Sequence, residues 1–190
     1  MYQTLIHFDS ASSHAQRLLD QPYQIHYMLE HINTSRQRLL WRLNQDRLLV
    51  RHINPLDWTE LDRTHPNLGD RSHTRINPLH AVGSTHLFNL FAFIGQQSED
   101  HRWNIQQPQH YVDWISKRAI YTGFQVLEIE AFKASDYFVR TRSAPLKLQP
   151  VKLVGMLQIT DSLSFQSILQ NGIGRMRAYS CGMILLQEFS

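Results

Sequence analysis

The chain has 190 residues, of which 42% are hydrophobic and 18% charged, a composition typical of a globular protein rather than a disordered one. The net charge is only +3, no apolar run approaches the roughly 20 residues of a membrane span, and the single cysteine, Cys181, excludes an internal disulfide and a cysteine metal cluster. The first residues lack the basic and apolar segments of a signal peptide, so we expect a cytoplasmic protein of one large or two small domains.

The first part of the sequence alternates between strand and helix patterns. The predicted elements are a strand over 2–8, a short helix capped by Ser12 or Ser13 and ending at Leu19, a helix restarted by Asp20-Gln21-Pro22, and two strands over 38–43 and 47–53 joined by Asn44-Gln45-Asp46. Residues 54–75 are polar and irregular apart from a short helix at 57–63. The apolar segments 76–83 and 86–95 are interpreted as strands.

The helix after Pro22 carries two side chains that could take part in catalysis. Its apolar residues Ile25, Met28, Leu29 and Ile32 follow the i, i+3, i+4, i+7 spacing of a core-facing stripe. Tyr23 and His26 are three residues apart and share the opposite, polar face. A histidine with an ordinary pKa can act as a general acid or base, which RNA cleavage by a 2′-hydroxyl requires. A surface histidine with a purely structural role explains the same pattern.

The second part of the sequence repeats the order of elements. A helix over 108–122, a strand over 124–132, a hairpin-like stretch leading into a strand that ends near residue 160, a helix over 162–171 and a strand over 182–187 are predicted. Each part thus has the order strand, helix, two strands, helix, strand. We therefore predict an α+β protein of two tandem ferredoxin-like (RRM-like) βαββαβ domains, over residues 1–83 and 84–190.

Positive charge is concentrated in the second part. Residues 1–132 carry a net charge of −1, whereas residues 133–177 carry seven lysines and arginines against two acidic residues, a net charge of +5. A basic excess confined to one quarter of a chain suits a surface that binds a polyanion. Chance clustering on a solvated surface explains the charge alone equally well.

A glycine-rich segment, GIGRMRAYSCG, follows the last predicted helix over residues 172–182. One glycine suffices to end a helix, and this segment has three, together with two arginines. Such a loop can bring backbone N–H groups and positive charge close to a phosphate. A helix cap followed by a solvated turn accounts for Gly172 but not for the remaining spacing.

The sequence does not predict a metal site or a cofactor. His65, His73 and His80 lie in a loop-like region without the spacing of metal ligands. RNA cleavage by an adjacent 2′-hydroxyl needs no metal ion, because the nucleophile is part of the substrate.

Two segments of the chain are specific enough to compare with known families: PYQIH at residues 22–26 and GMLQITD…LQNGIGRMRAYSCGMILL at residues 155–186. Both resemble one family, the CasE endoribonucleases that process CRISPR repeat RNA in the type I-E Cascade system. The resemblance implies two tandem ferredoxin-like domains and metal-independent cleavage beside a repeat stem-loop, which leaves a 2′,3′-cyclic phosphate. It also implies that the mature guide RNA stays bound, that other Cascade subunits are partners, and that no membrane is involved.

The resemblance assigns roles by position. Tyr23 and His26 become the catalytic pair. The implied RNA-binding residues are Gly172, Gly174, Arg175, Arg177 and Gly182 in the loop and Arg140, Arg142 and Lys147 in the basic hairpin. One position departs from the family pattern, since Ser180 stands where relatives usually have glycine, and serine has less backbone freedom.

Two other functions stay open on the sequence. The first is a catalytically inactive RNA-binding subunit that caps the hairpin of a guide RNA, against which the Tyr23 and His26 pair argues. The second is a ferredoxin-fold protein unrelated to RNA, against which the basic region and the glycine loop argue.

Overall fold

The computed structural model describes residues 1–21, 23–97, 103–105, 108–134, 137–140 and 145–187. In chain order the elements are β1 (Tyr2–Phe8), α1 (Ser13–Asp20), α2 (Tyr23–His31), β2 (Leu40–Asn44), β3 (Arg47–His52), α3 (Trp58–Thr64), β4 (Gly69–Arg75), β5 (Thr85–Ala92), β6 (Gly95–Gln97), β7 (Trp103–Ile105), α4 (Pro108–Ala119), β8 (Phe124–Lys133), β9 (Tyr137–Arg140), β10 (Pro145–Leu148), β11 (Val151–Ile159), α5 (Ser162–Asn171) and β12 (Ile184–Gln187). Among these described helices, none is long and apolar enough to cross a membrane.

Two four-stranded antiparallel sheets form the framework. Their strand orders are β2-β3-β1-β4 and β12-β5-β11-β8. Counted within its own half of the chain, each sheet places its fourth strand beside the first, then the third, then the second. This is the antiparallel order of a ferredoxin-like unit, so the predicted α+β fold class is confirmed. The division at residues 83 and 84 stays a prediction.

The predicted helix stripe builds the first core. Ile25, Met28, Leu29 and Ile32 are buried together with alternate residues of β1 and β3. α1 begins at the predicted cap, where the Ser12 side chain accepts a hydrogen bond from the Ala15 N–H. Pro22, expected to open the next helix, lies outside the described residues. Burying the apolar stripe turns the opposite face of α2, which carries His26, outward.

The second core lies between the other sheet and its two helices. Leu90, Ile115, Leu153, Leu157 and Phe165 are among its most buried side chains. Asp161 precedes α5 as its N-cap, and its carboxylate accepts a hydrogen bond from the Ser164 N–H. The helix ends at Asn171, and the glycine segment starts directly after it.

One predicted strand was wrong. Residues 76–83 do not form a strand, and the fourth strand of the first sheet is β4, within the segment that was predicted to be irregular. Among the strands that the structure describes, β4 lies at the edge of the sheet and pairs only with β1. Its sequence, GDRSHTR, has no apolar side chain, and most of its residues are exposed. An edge strand that buries neither face carries no hydrophobic alternation that could reveal it.

Candidate active site

The outward face of α2 presents His26 at the wall of a cleft. The His26 side chain is 26% exposed, and its Nδ1 lies 4.0 Å from Oε1 of Glu30, one helical turn further along. The ring of Tyr179, from the glycine segment, meets the His26 ring edge-on with 6.0 Å between centroids. The catalytic candidate of the first half thus contacts the loop of the second half.

Tyr23 lies one turn before His26 and is partly buried. Its ring packs beside the small cluster formed by Phe93, Leu148 and Cys181. Its hydroxyl donates a hydrogen bond to Oε1 of Gln21 at 3.0 Å. The phenol is therefore held by packing, while its hydroxyl group remains on the polar side of the helix.

The glycine segment is a folded loop with five residues at positive φ: Gly172, Gly174, Met176, Ser180 and Gly182. A short 3₁₀ turn over Arg177–Tyr179 forms its tip. The Ile173 N–H donates to the Gly182 carbonyl at 2.9 Å, and the Gly182 N–H donates to the Phe91 carbonyl at 2.6 Å. These amides close the loop and tie it to β5. The Gly172 N–H is also occupied, since it donates to the Ile168 carbonyl at 2.8 Å. The expectation that the glycines offer their amides to a phosphate therefore stays a prediction for Gly174 and does not hold for Gly172 and Gly182 as the loop is folded here.

Gly172 and Gly182 leave space for the side chain of Arg177. A Cβ atom at Gly172 would lie 3.1 Å from Cδ of Arg177, and one at Gly182 would lie 2.8 Å from its Cγ. The aliphatic stem of Arg177 therefore crosses both glycines. Its Nη1 donates to the Asn171 carbonyl at 3.0 Å, at the end of α5. Glycine at these two positions makes room for an arginine that is fixed along its whole length.

The cleft between α2 and the loop has a volume of about 440 Å³ and is rich in arginine. Arg38, Arg175 and Arg177 line it together with His26, while Glu30 is the acidic residue of the lining. The pKa of Arg177 is lowered, first by burial and then by repulsion from the Arg38 guanidinium. Guanidinium groups that face one cleft form a site suited to phosphate oxygens.

The basic surface continues from the loop onto α4. Gly174 lies against the indole of Trp114, since a Cβ there would be 2.9 Å from Cζ2. The guanidinium of Arg118 stacks over the same ring, 4.2 Å from its centroid. Burial and the nearby charge of Arg175 both lower the pKa of Arg118.

Sequence reasoning missed Arg38 and Tyr179. Arg38 lies between α2 and β2, outside any periodic pattern, and only the fold brings it beside Arg177. Ser180 was identified as a departure, but its role was not foreseen. It adopts φ +64°, and its Oγ accepts a hydrogen bond from the Leu43 N–H of β2 at 3.1 Å.

The basic hairpin is present as β9 and β10, which pair antiparallel. Arg140 ends β9 opposite Pro145, and Lys147 lies in β10 opposite Phe138. Arg142 lies outside the described residues. The assignment of these three residues to RNA binding stays a prediction.

Within the described part of the chain, no group of three or more His, Cys, Asp and Glu side chains could hold a metal ion.

A family model for CRISPR associated protein matches residues 1–188. Among solved structures, Thermus thermophilus Cse3 bound to an RNA that represents a pre-cleavage complex is 25% identical, with 98% of each chain covered and a TM-score of 0.83. A CRISPR endoribonuclease Cse3 bound to a 19-nucleotide RNA is 26% identical, again with 98% of each chain covered and a TM-score of 0.83.

A chain of a pre-nicking CRISPR RNA-guided surveillance complex is 18% identical, with 98% of this chain and 99% of that one covered and a TM-score of 0.75. At this identity the likeness concerns the fold. No curated protein sequence matches this chain.

Proposed function

Since the chain belongs to the family of CRISPR-associated proteins, in its CasE (Cse3) branch, we propose that it binds CRISPR repeat RNA and cleaves it beside the repeat stem-loop. The observation that carries this proposal is the arginine-lined cleft with His26 at its wall. A cleft of this kind offers both a site for a phosphate and a group that can transfer a proton.

The reaction we propose is a transesterification within the RNA. The 2′-hydroxyl beside the scissile bond loses its proton and attacks the phosphorus, the bond to the 5′-oxygen breaks, and that oxygen gains a proton. The products are a 2′,3′-cyclic phosphate on the upstream piece and a 5′-hydroxyl on the downstream piece. His26 serves as a proton-transfer group, and the Tyr23 hydroxyl donates a hydrogen bond near the reacting groups. Because the nucleophile belongs to the RNA, the reaction is proposed to proceed without a metal ion.

The arginines are proposed to neutralise the charge of the scissile phosphate and its neighbours. Arg177 is fixed by its stem on the glycines and by its bond to the Asn171 carbonyl, so its guanidinium is already oriented before RNA binds. Arg38 faces it from the first half of the chain. A phosphate between these two guanidinium groups would relieve their mutual repulsion. Fixed positive groups of this kind stabilise the extra charge of a phosphorane.

Binding of the RNA stem is proposed to lie outside this cleft. The hairpin residues Arg140, Arg142 and Lys147 would follow the duplex and read its shape and phosphates more than its bases. Neutralising all three should weaken binding and flatten its salt dependence, while the cleavage rate at saturating protein changes little. We propose that the guide RNA stays bound after cleavage and that other Cascade subunits join the protein on it. A triple variant that binds as tightly as the unmodified protein would contradict this division.

The direct test uses a labelled repeat hairpin in a buffer with chelator. The unmodified protein should cut once beside the stem and leave a cyclic phosphate, and His26→Ala should lower the rate by about 10²-fold or more with binding retained. His7→Ala is the matched control, because His7 lies on β1 and is not part of the cleft lining. Full activity of His26→Ala, or a strict need for magnesium, would refute the mechanism. Binding without any cleavage by the unmodified protein would favour the alternative, an inactive subunit that caps the guide RNA hairpin.

A further inference from the structure

Arg51, on β3, is a buried charge. The residue is 4% exposed. Its Nη1 donates to the carbonyls of Leu169, at 3.1 Å, and Ile184, at 3.0 Å. Its Nε and Nη2 donate to Oε1 of Gln3 on β1, at 3.3 and 2.9 Å. All of these acceptors are neutral.

Stability alone does not account for this arrangement. Burial lowers the pKa of Arg51 to about 10, so the side chain keeps its charge at neutral pH. A buried charge that is held only by neutral groups is costly, and an apolar side chain of similar size at such a position is often neutral or stabilising. Leu49, two residues earlier on the same face of β3, shows that this surface accepts an apolar residue.

The positions of the two carbonyls suggest another reason. Leu169 lies in the last turn of α5, where unpaired helix carbonyls favour a cation. Ile184 is the first residue of β12. The glycine loop runs between these two points. One guanidinium from the first sheet therefore contacts the residues that flank the loop on both sides. Gln3 orients that guanidinium from the neighbouring strand.

Other contacts act in the same direction. The Leu43 N–H of β2 donates to Oγ of Ser180 near the tip of the loop. On the same face of the first sheet, the guanidinium of Arg42 lies 3.5 Å from the centroid of the Phe91 ring and donates to Oδ1 of Asn89 on β5 at 3.3 Å. Arg51 differs from both of these because one side chain contacts the element before the loop and the element after it.

The candidate site has residues from both halves of the chain, so the contacts of Arg51 between the halves affect its geometry. His26 belongs to α2 in the first half, whereas Arg175, Arg177 and Tyr179 belong to the loop in the second. We infer that Arg51 is a positioning residue that sets the separation of His26 from the loop arginines, and this inference rests on the proposed endoribonuclease function. A misplacement of about 1 Å between reacting groups can lower a rate on the order of 10²-fold.

The test compares Arg51→Met with Arg51→Lys in single-turnover cleavage of the repeat hairpin at saturating protein. Arg47→Met is the control, because Arg47 lies on the same strand and is exposed. A second assay measures the affinity for the same hairpin with a 2′-deoxy substitution at the scissile position, which blocks the reaction but not binding. As long as the folded protein alone saturates the RNA, the single-turnover rate constant does not depend on the folded fraction, so a variant that folds poorly remains informative when its rate constant no longer changes with added protein.

We expect Arg51→Met to lower the saturated rate constant about 10- to 10²-fold. The affinity for the 2′-deoxy hairpin should change by less than about threefold, because most phosphate contacts are proposed to lie along the stem. Arg51→Lys keeps the charge but loses the planar guanidinium that reaches three acceptors, so its rate constant should lie between those of Arg51→Met and the unmodified protein. An unchanged rate constant in Arg51→Met, or an equal loss in Arg47→Met, would overturn the positioning role. An unmodified protein that binds the hairpin without cutting it would instead overturn the proposed function, and the positioning role with it.

Discussion

Adding one methyl group at Gly182 should disrupt the loop in a way that a matched glycine does not. Gly182 has φ +85° and Gly83 has φ +86°, so alanine at either position meets the same left-handed backbone region. A Cβ at Gly83 would have no heavy atom within 4 Å. A Cβ at Gly182 would lie 2.6 Å from the Ile173 carbonyl oxygen and 2.8 Å from Cγ of Arg177. The pair of variants therefore separates backbone strain from crowding.

The magnitudes follow from these contacts. The left-handed region destabilises an L-residue by about 1–2 kcal/mol, which is the whole effect expected for Gly83→Ala. In Gly182→Ala the loop must also move away from a backbone oxygen, and this breaks the bond from the Ile173 N–H to the Gly182 carbonyl, worth about 0.5–1.5 kcal/mol. We expect a loss of about 1.5–3.5 kcal/mol in the free energy of unfolding for Gly182→Ala. The shifted stem of Arg177 should also weaken binding of the repeat hairpin.

Urea unfolding gives the free-energy difference from the midpoint and slope, and filter binding gives the hairpin affinity. Gly83→Ala should bind RNA as the unmodified protein does. The interpretation of the glycines as space for Arg177 would be refuted by equal destabilisation of the two variants, or by a Gly182→Ala variant that is destabilised and yet binds RNA with full affinity.

Three other outcomes are expected. Ser180→Ala should lower the free energy of unfolding by about 1 kcal/mol, because the Leu43 N–H loses its acceptor. In Ser180→Gly the relief of the positive φ should offset most of that loss. Equal losses of the two variants in urea unfolding would contradict this. Burial lowers the pKa of His52 below 6.5, so the unfolded chain binds a proton more readily than the folded state does. The contribution of His52 to the free energy of unfolding is therefore complete above pH 6.5 and should decline as the pH falls from there through the lowered pKa. His52→Gln should flatten this dependence of stability on pH, and an unchanged dependence would exclude His52 as its source. Tyr23→Phe should reduce cleavage less than His26→Ala, since the ring still packs and only the hydroxyl bond is lost, and an equal reduction in single-turnover rate would assign the phenol a larger role.

The core-facing elements could be predicted from the sequence because their buried residues recur with a helix or strand period. The stripe of Ile25, Met28 and Leu29 predicted α2, and with it the outward placement of His26. β4 has no such periodicity, since its side chains are polar and most of them are exposed at the edge of the sheet.

The contacts between the halves could not be read from local patterns. Arg42 and Arg51 look like solvated residues of amphipathic strands, yet both are buried where the first sheet meets the second half. Arg38 reaches the cleft only through the tertiary fold. The sequence showed more glycines after α5 than a helix end requires, but their contact with the stem of Arg177 depends on the path of the loop in three dimensions.

The separation of Arg51 from its acceptors along the chain has a consequence during synthesis. Its two carbonyl partners come 118 and 133 residues later. At about 5–20 residues per second, with earlier segments folding first, roughly 6 to 24 seconds pass before the first of them is made. In that interval the nascent chain carries Tyr23 and His26 without the loop that would hold RNA beside them. On the proposed function, the acid–base group is therefore synthesised before the loop that would hold the RNA, and an unfinished chain is expected not to cut repeat RNA.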